Sequence, residues 1–111
     1  MNVKRIGLIL LLIVLVAVVV FAETRSTGRD GITVTASNST GSWRYHVQNN
    51  NERAISIEIA FDCNLRLPRG QSTTRTIQLV IGPKSAAADS LPYPGTINTV
   101  TNVRIVTFNF I

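Results

Sequence analysis

The residues of this sequence that could do chemistry are few and dispersed. There is one histidine, His46, and one cysteine, Cys63, and neither lies in a CxxC, HExxH or calcium-loop pattern. Metal sites need clustered ligands, so we expect neither a metal site nor a bound cofactor. A catalytic Cys–His pair would need the two side chains to meet in the fold. Residue alternation instead directs Cys63 inward and His46 away from the face that carries Trp43, which argues against a thiol enzyme.

Two carboxylates, Glu58 and Asp62, share the outer face of one predicted strand. Four residues along a strand span about 13 Å, which is too far for the usual hydrolytic carboxylate pair. We interpret them as a solvated face, with Arg44 or Arg53 as partners across a hairpin. The sequence also has no glycine-rich phosphate loop. No catalytic residue is therefore assigned, and the chain is predicted not to be an enzyme.

The single cysteine and two aromatic residues each allow a structural and a functional interpretation. Cys63 is either a buried thiol, which is the favoured interpretation, or an intermolecular disulfide or reactive group. Trp43 and Tyr45 either belong to the core or form an exposed platform that stacks on carbohydrate. Residues 38–40 (Asn-Ser-Thr) form an N-glycosylation sequon. The loop 93–95 (Tyr-Pro-Gly) is the favoured contact surface outside the core, because loops carry function on such scaffolds.

An uncharged apolar run, Ile6 to Ala22, predicts that the chain is inserted into or carried across a membrane. Its length is at the lower limit for a transmembrane helix and slightly above the usual core of a cleaved signal. The small residue before Glu23 would permit cleavage, so both interpretations stay open and a retained anchor is favoured. A lysine and an arginine just before the run predict a cytoplasmic N terminus, with residues 23–111 outside.

The charge of the exported part does not indicate nucleic-acid binding. The chain has a net charge of +5, but two of its eleven basic residues precede the apolar run, which leaves nine basic and six acidic residues in 23–111. Those nine are spread singly, whereas nucleic-acid surfaces usually carry a basic stripe or patch. We expect no nucleic-acid partner, and a mild attraction to anionic lipid or cell-wall polymer stays open.

The chain is long enough for one small domain, and its pattern changes near residue 31. Residues 1–22 are predicted to be the membrane anchor or signal segment, 23–31 a polar linker, and 32–111 an extracytoplasmic β-sandwich domain. Five or six strands of period two follow one another, separated by turn signals. Because each half-buried sheet face must cover another, the pattern predicts an all-β, antiparallel sandwich after one N-terminal helix.

The alternation is clearest at Ala54 to Asp62, which we predict to be a central strand. A polar hairpin loop is expected at 49–52, and one helical turn at Ser85 to Asp89. In the last strand the apolar residues change face between Ile105 and Val106, which is typical of a bulge or of a strand buried on both faces. The other predicted strands are 31–36, 43–48, 74–81 and 98–110.

Three consecutive elements give a resemblance at the level of architecture. They are the asparagine-rich turn 49–51, the isoleucine-alternating strand 55–61, and the segment 67–72 (LPRGQS) that leads into a second alternating strand at 76–81. This arrangement resembles the small immunoglobulin-like modules of exported prokaryotic proteins. The resemblance implies an immunoglobulin-like β-sandwich with an adhesion, spacer or assembly role, and it transfers no functional residue.

Together these features predict a membrane-anchored extracytoplasmic module for binding, adhesion or assembly, attached to the membrane through residues 6–22. The alternative is a module cleaved after Ala22 and secreted, which binds polysaccharide or another surface polymer through Trp43, Tyr45 and exposed arginines. Five or six strands leave exposed sheet edges, and such edges invite pairing with another strand. We therefore expect a protein partner or self-association through the sheet edges.

Overall fold

Backbone pairing in the computed structural model arranges the chain in antiparallel sheets. The structure describes residues 23–38 and 41–111, so the predicted anchor or signal helix at 6–22 lies outside the described residues. Within them the chain is all β apart from one turn of 3-10 helix at Pro94–Thr96. The predicted class, an all-β fold of antiparallel sheets, is confirmed for this part of the chain.

Seven strands are present in the described residues: β1 (Glu23–Arg29), β2 (Ile32–Asn38), β3 (Trp43–Asn49), β4 (Ile55–Leu65), β5 (Ser72–Ile81), β6 (Ala86–Ser90) and β7 (Ile97–Phe110). One sheet has the order β1-β2-β3-β6, and the other has the order β5-β4-β7. All neighbouring strands in both sheets run antiparallel.

The core lies between the two sheets and follows the alternation of the sequence. Side chains on a strand point to opposite faces in turn, so Ile55, Ile59 and Phe61 of β4 are fully buried while Ser56 is exposed. Trp43 of β3 is also fully buried. The other buried core residues are Ile32, Val34, Ala36, Tyr45, Val47, Ile57, Cys63, Ile81, Leu91, Ile97, Val100 and Val103.

The segment predicted to be a polar linker, 23–31, is instead strand β1 with the turn that follows it. β1 pairs with β2 along its whole length, from Glu23 opposite Asn38 to Arg29 opposite Ile32. Asp30 and Gly31 join the two strands with left-handed backbone angles, φ 50° and 79°. Asp-Gly is a strong signal for such a two-residue hairpin turn. β1 is polar because it is an edge strand whose residues are mostly exposed.

The segment after β3, residues 50–54, also differs from expectation. It was predicted to contain a hairpin loop, but β3 and β4 belong to different sheets, so the segment crosses from one layer to the other. The predicted helical turn at Ser85 to Asp89 is wrong as well, since β6 pairs there with β3. Alanine is a strong helix former, but helix propensity is a weak preference that tertiary contacts routinely override, and here pairing with the free side of β3 outweighs it.

The change of face in the last strand is a bulge, one of the two alternatives that the sequence left open. Glu58 of β4 lies opposite Thr107 and the next residue, Ile59, lies opposite Ile105, so Val106 is the extra residue. The register shifts twice more along β7, after Asp62 and after Asn64 of β4. Bulges bend a strand and increase its twist, so β7 is an irregular edge of its sheet.

One end of the sandwich, which we call the Glu23 end, is where β1 begins. Glu23 lies opposite Asn38, and Asn38 lies opposite Trp43. The turn between β4 and β5 reaches this end, because the Arg66 Nη2 donates a hydrogen bond to the Gly41 carbonyl at 3.0 Å. The turn that precedes β7 is also here, since the Arg66 backbone N–H donates to the Thr96 carbonyl at 2.9 Å.

The opposite end, which we call the Ile111 end, contains the β1–β2 turn and the crossing after β3. The Asn50 N–H donates to the Gly31 carbonyl, and the Ile111 N–H donates to the Ala54 carbonyl, each at 2.9 Å. β5 therefore runs from the Glu23 end, at Ser72, to the Ile111 end, at Ile81.

Candidate interaction surfaces

The histidine and the cysteine lie in different sheets and do not meet. His46 is exposed on β3, whereas Cys63 on β4 is 1% exposed, with its thiol 3.3 Å from the Phe61 carbonyl. Burial raises the pKa of the Cys63 thiol. The sequence-based expectation of a buried thiol is confirmed. Among the described residues no group of three His, Cys, Asp or Glu side chains could hold a metal ion.

The carboxylate of Asp62 accepts hydrogen bonds from residues of both neighbouring strands, β5 and β7. Its Oδ2 accepts from the Arg104 Nε at 3.0 Å, and its Oδ1 accepts from the Arg104 Nη2 at 2.9 Å and the Thr74 hydroxyl at 3.0 Å. The hydrogen bonds from Arg104 hold the pKa of Asp62 below its usual range. The partner is thus on β7, not Arg44 or Arg53 as we expected. A carboxylate with a lowered pKa is a weak base, and both oxygens of Asp62 already accept hydrogen bonds, so the side chain is poorly suited to general-base catalysis.

A shallow depression of about 320 Å³ lies beside this pair, lined by Asp62, Cys63, Ser72, Thr73, Thr74 and Thr101. Its polar groups already form hydrogen bonds within the sheet. The Thr74 hydroxyl donates to the Asp62 carboxylate, and the Thr101 hydroxyl donates to the Asp62 carbonyl at 3.1 Å. The depression therefore offers few unoccupied polar groups to a ligand.

The aromatic residues considered for carbohydrate stacking belong to the core. Trp43 is fully buried, and its indole Nε1 is 3.4 Å from the Asn98 carbonyl. Tyr45 is 9% exposed, and its ring lies 6.3 Å from that of Phe61. Burial, with a smaller effect of Asp89, raises the pKa of the Tyr45 phenol. An exposed platform built on Trp43 is therefore absent from this fold.

The most regular free edge of the described sheets is β5, which pairs only with β4. The Leu65 N–H donates to the Gln71 carbonyl at 2.8 Å, just before the strand. In an antiparallel pair of strands, the N–H and C=O groups of every second residue bond to the neighbouring strand. Counting from Gln71, the odd-numbered residues of β5 therefore bond to β4. The N–H and C=O groups of the others point to the free edge; these residues are Ser72, Thr74, Thr76, Gln78 and Val80.

The β5 edge is also almost uncharged. Its one charged residue, Arg75, lies on the other parity, with its guanidinium 5.1 Å from the Tyr93 ring and its Nη2 donating to the Thr96 hydroxyl at 3.2 Å. Val80 is 72% exposed, and the register from Ile55 to Asn64 against β5 is free of bulges. Natural edges are usually blunted by charge, bulges or short length, whereas β5 has ten residues, no bulge and one charged residue, Arg75.

The other three edges do show such protection. β7 is bulged, and β6 has only five residues. β1 carries Glu23, Arg25 and Arg29, and it packs along β7, where the Thr99 hydroxyl donates to the Glu23 carboxylate at 3.1 Å. The Arg29 guanidinium lies 5.5 Å from the Phe108 ring. β5 is therefore the edge best suited to accept another strand.

A second candidate surface is the Glu23 end itself. Leu67 is 82% exposed and Tyr93 is 71% exposed, although both are large apolar or aromatic side chains. Arg66 and Arg69 are exposed beside them in the β4–β5 turn. The Tyr93 loop was the contact surface favoured by the sequence, whereas the exposure of Leu67 was not anticipated.

Comparisons with known proteins give no relative from which a function could be carried over. No family model, no curated protein and no solved structure matches this chain. Among the helices of residues 23–38 and 41–111, none has the length and apolar character needed to cross a membrane. The function must therefore be argued from the sequence and from the two surfaces described above.

Proposed function

We propose that this chain is a membrane-anchored extracytoplasmic β-sandwich whose β5 edge accepts an extended strand from a protein partner or a second copy. The observation that carries the proposal is the free, bulge-free and nearly uncharged edge of β5. Strand addition uses main-chain hydrogen bonds for affinity and alternate side chains for specificity. A partner strand rich in β-branched, uncharged residues fits this edge, because its neighbours would be threonines, Gln78 and Val80.

The membrane part of the proposal rests on the apolar run at 6–22 and on the basic pair before it. The immunoglobulin-like architecture is likewise a proposal. Four strands in one sheet and three in the other match the division of a constant-type immunoglobulin domain. The order differs, since β1, β2 and β3 are consecutive neighbours here, whereas that domain places its third strand in the other sheet.

The test introduces a photo-reactive side chain at Gln78 of the full-length protein in membranes of its own host. The matched control site is Ser56, which is exposed on the outer face of the central strand β4. We expect a discrete cross-linked product from position 78 alone. That product should disappear in Thr76→Pro, which removes an edge N–H without touching the β4–β5 ladder. Equal products from both sites, or none from position 78, would refute strand addition at β5.

Membrane attachment is tested separately by fractionation and protease treatment of intact cells. We expect a full-length chain in the membrane fraction, with residues 23–111 cut by external protease. A soluble species starting at Glu23 would instead support the secreted form.

A further inference from the structure

The Glu23 end combines three features that bear on one another. Leu67 and Tyr93 are exposed there, and Arg66 and Arg69 flank them. Glu23, the residue that directly follows the apolar run, begins β1 at the same end. The chain therefore passes from the predicted membrane segment into the sandwich with no spacer, because Glu23 is already paired with Asn38.

The position of Glu23 is fixed by its contacts. Its carboxylate accepts from the Thr99 hydroxyl at 3.1 Å, which joins the start of β1 to β7. If residues 6–22 lie in the membrane, the Glu23 end is the face nearest to the lipid. The side chains exposed on that face then meet headgroups rather than bulk water.

The turn that carries Leu67 is held in place by Arg66. The Arg66 backbone N–H donates to the Thr96 carbonyl at 2.9 Å, its Nε donates to the Ile97 carbonyl at 3.1 Å, and its Nη2 reaches Gly41. This side chain joins β4, β7 and the β2–β3 turn. Leu67 is thus presented outward by an anchored turn.

The loop that carries Tyr93 is similarly tied. Tyr93 has a left-handed φ of 50°, and its carbonyl accepts from the Thr96 N–H at 3.0 Å and the Thr96 hydroxyl at 2.7 Å. The Arg75 guanidinium lies over the ring. The ring is therefore displayed by its backbone and remains 71% exposed.

We propose that the Glu23 end docks onto an anionic lipid surface, with Leu67 and Tyr93 at headgroup depth and Arg66 and Arg69 beside lipid phosphates. The inference rests on the proposed membrane anchor. It assigns a separate lipid-binding role to the Glu23 end, the part of the sandwich nearest to that anchor. Tyrosine is favoured at membrane interfaces because its ring is apolar and its hydroxyl is polar. Arginine matches phosphate geometry with paired donors. The acidic groups near this end are Glu23, whose carboxylate is engaged by Thr99, and Asp89, which lies opposite Tyr45 close to the end of β6.

The experiment places the full-length chain in vesicles of phosphatidylcholine containing phosphatidylglycerol, and in vesicles of phosphatidylcholine alone. A fluorophore sensitive to polarity is attached to Leu67→Cys, and spin-labelled lipids serve as quenchers. The matched control is Ile111→Cys, because Ile111 is also apolar and 65% exposed but lies at the opposite end. The native Cys63 is 1% exposed, so the unsubstituted chain should remain unlabelled.

We expect lipid quenching and a blue-shifted emission at position 67 and neither at position 111. Replacement of Arg69 by glutamine should lower the docked-to-undocked ratio by about fivefold in anionic vesicles, since one basic residue near such a surface contributes about that factor. The same replacement should have little effect in neutral vesicles.

Two results would overturn the docking while leaving the anchor in place. One is a probe at 67 that stays unquenched while the protein floats with the vesicles, which would keep the anchor and reject docking. The other is equal quenching at 67 with and without anionic lipid, which would reject the headgroup contacts. A protein that fails to float at all would instead refute the anchor and, with it, the docking that depends on it.

Discussion

The two ends of the sandwich are closed in different ways. At the Ile111 end the connections converge on Asn49, which is fully buried. Its Nδ2 lies 2.9 Å from the Arg53 and Gly82 carbonyls, and its Oδ1 accepts from the Asn51 N–H at 3.0 Å and the Asn51 Nδ2 at 3.1 Å. Both the donors and the acceptor of this amide are thus used inside the domain.

At the Glu23 end the connections are held by an exposed arginine instead. Arg66 donates to carbonyls of two other segments, and the residues around it display Leu67 and Tyr93 to the exterior. The Ile111 end also exposes Phe110 and Ile111, and at each end an arginine lies over the exposed aromatic ring, Arg53 over Phe110 and Arg75 over Tyr93. We assign stability mainly to the Ile111 end and, as proposed above, contact to the Glu23 end. Variants at each end should separate these roles.

The largest effect is expected for Asn49→Ala at the Ile111 end. The substitution leaves the Arg53 and Gly82 carbonyls and the Asn51 N–H without the bonds that the buried amide makes, so the free energy of unfolding should fall by about 3 kcal/mol. Thermal and urea unfolding followed by circular dichroism would measure it. Asn50→Ala is the control, because Asn50 is exposed. An equal loss of unfolding free energy in both variants would show that the buried Asn49 amide does not stabilise this end.

Arg66→Ala at the Glu23 end should have a smaller effect. It removes the side-chain bonds to Ile97 and Gly41 from an exposed residue, for which we expect a loss of about 1 kcal/mol in the free energy of unfolding. Arg69→Ala is its control and should change stability by less than about 0.5 kcal/mol. If the Arg66 variant were as damaging as Asn49→Ala, the distinction between the two ends would fail.

Lowering the pH should reduce the stability of the domain through Asp62, which lies in the sheet between the two ends. The pKa of Asp62 is lowered in the folded state by its hydrogen bonds with Arg104. The stabilisation is therefore present above the unfolded pKa of about 3.9 and is lost as pH falls through the folded value. The urea midpoint of the wild type should decline over that range, and that of Asp62→Asn should decline less. Parallel pH curves for the two proteins would contradict this assignment.

The smallest effect on stability is expected for Leu67→Ser. Because the side chain is 82% exposed, its replacement should shift the free energy of unfolding by less than about 0.5 kcal/mol. Unfolding in detergent, without anionic lipid, is the suitable measurement. A loss above 1 kcal/mol would mean that Leu67 supports the fold, and the contact role of the Glu23 end would lose its main residue.

Local patterns were sufficient to predict five of the seven strands in the described residues and much of the core. Alternation placed Ile55, Phe61 and Trp43 inside, and the parity change at Val106 located a bulge. These features depend on neighbours along the chain. β1 was missed because its polar residues suit an edge strand as well as a linker, although Asp30-Gly31 carried the turn signal.

Features set by distant pairing could not be read from the sequence. The crossing after β3 depends on which sheet β4 joins, and the alanine-rich β6 becomes a strand only because β3 has a free side. The partner of Asp62, Arg104, lies far along the chain. For the candidate surfaces, the sequence indicated the Tyr93 loop, but the placement of Leu67 and Glu23 at the same end of the sandwich required the folded arrangement.

The direction of β5 limits how two copies of this protein could meet. β5 begins near the Glu23 end and finishes at the Ile111 end. An antiparallel pair of β5 strands, related by a two-fold axis, would join two β5-β4-β7 sheets into one of six strands and would place the two Glu23 residues at opposite ends of the dimer. Neighbours anchored in one membrane point the same way and cannot form it. Such a pair would bridge two apposed membranes, so self-pairing through β5 would be a contact between facing surfaces.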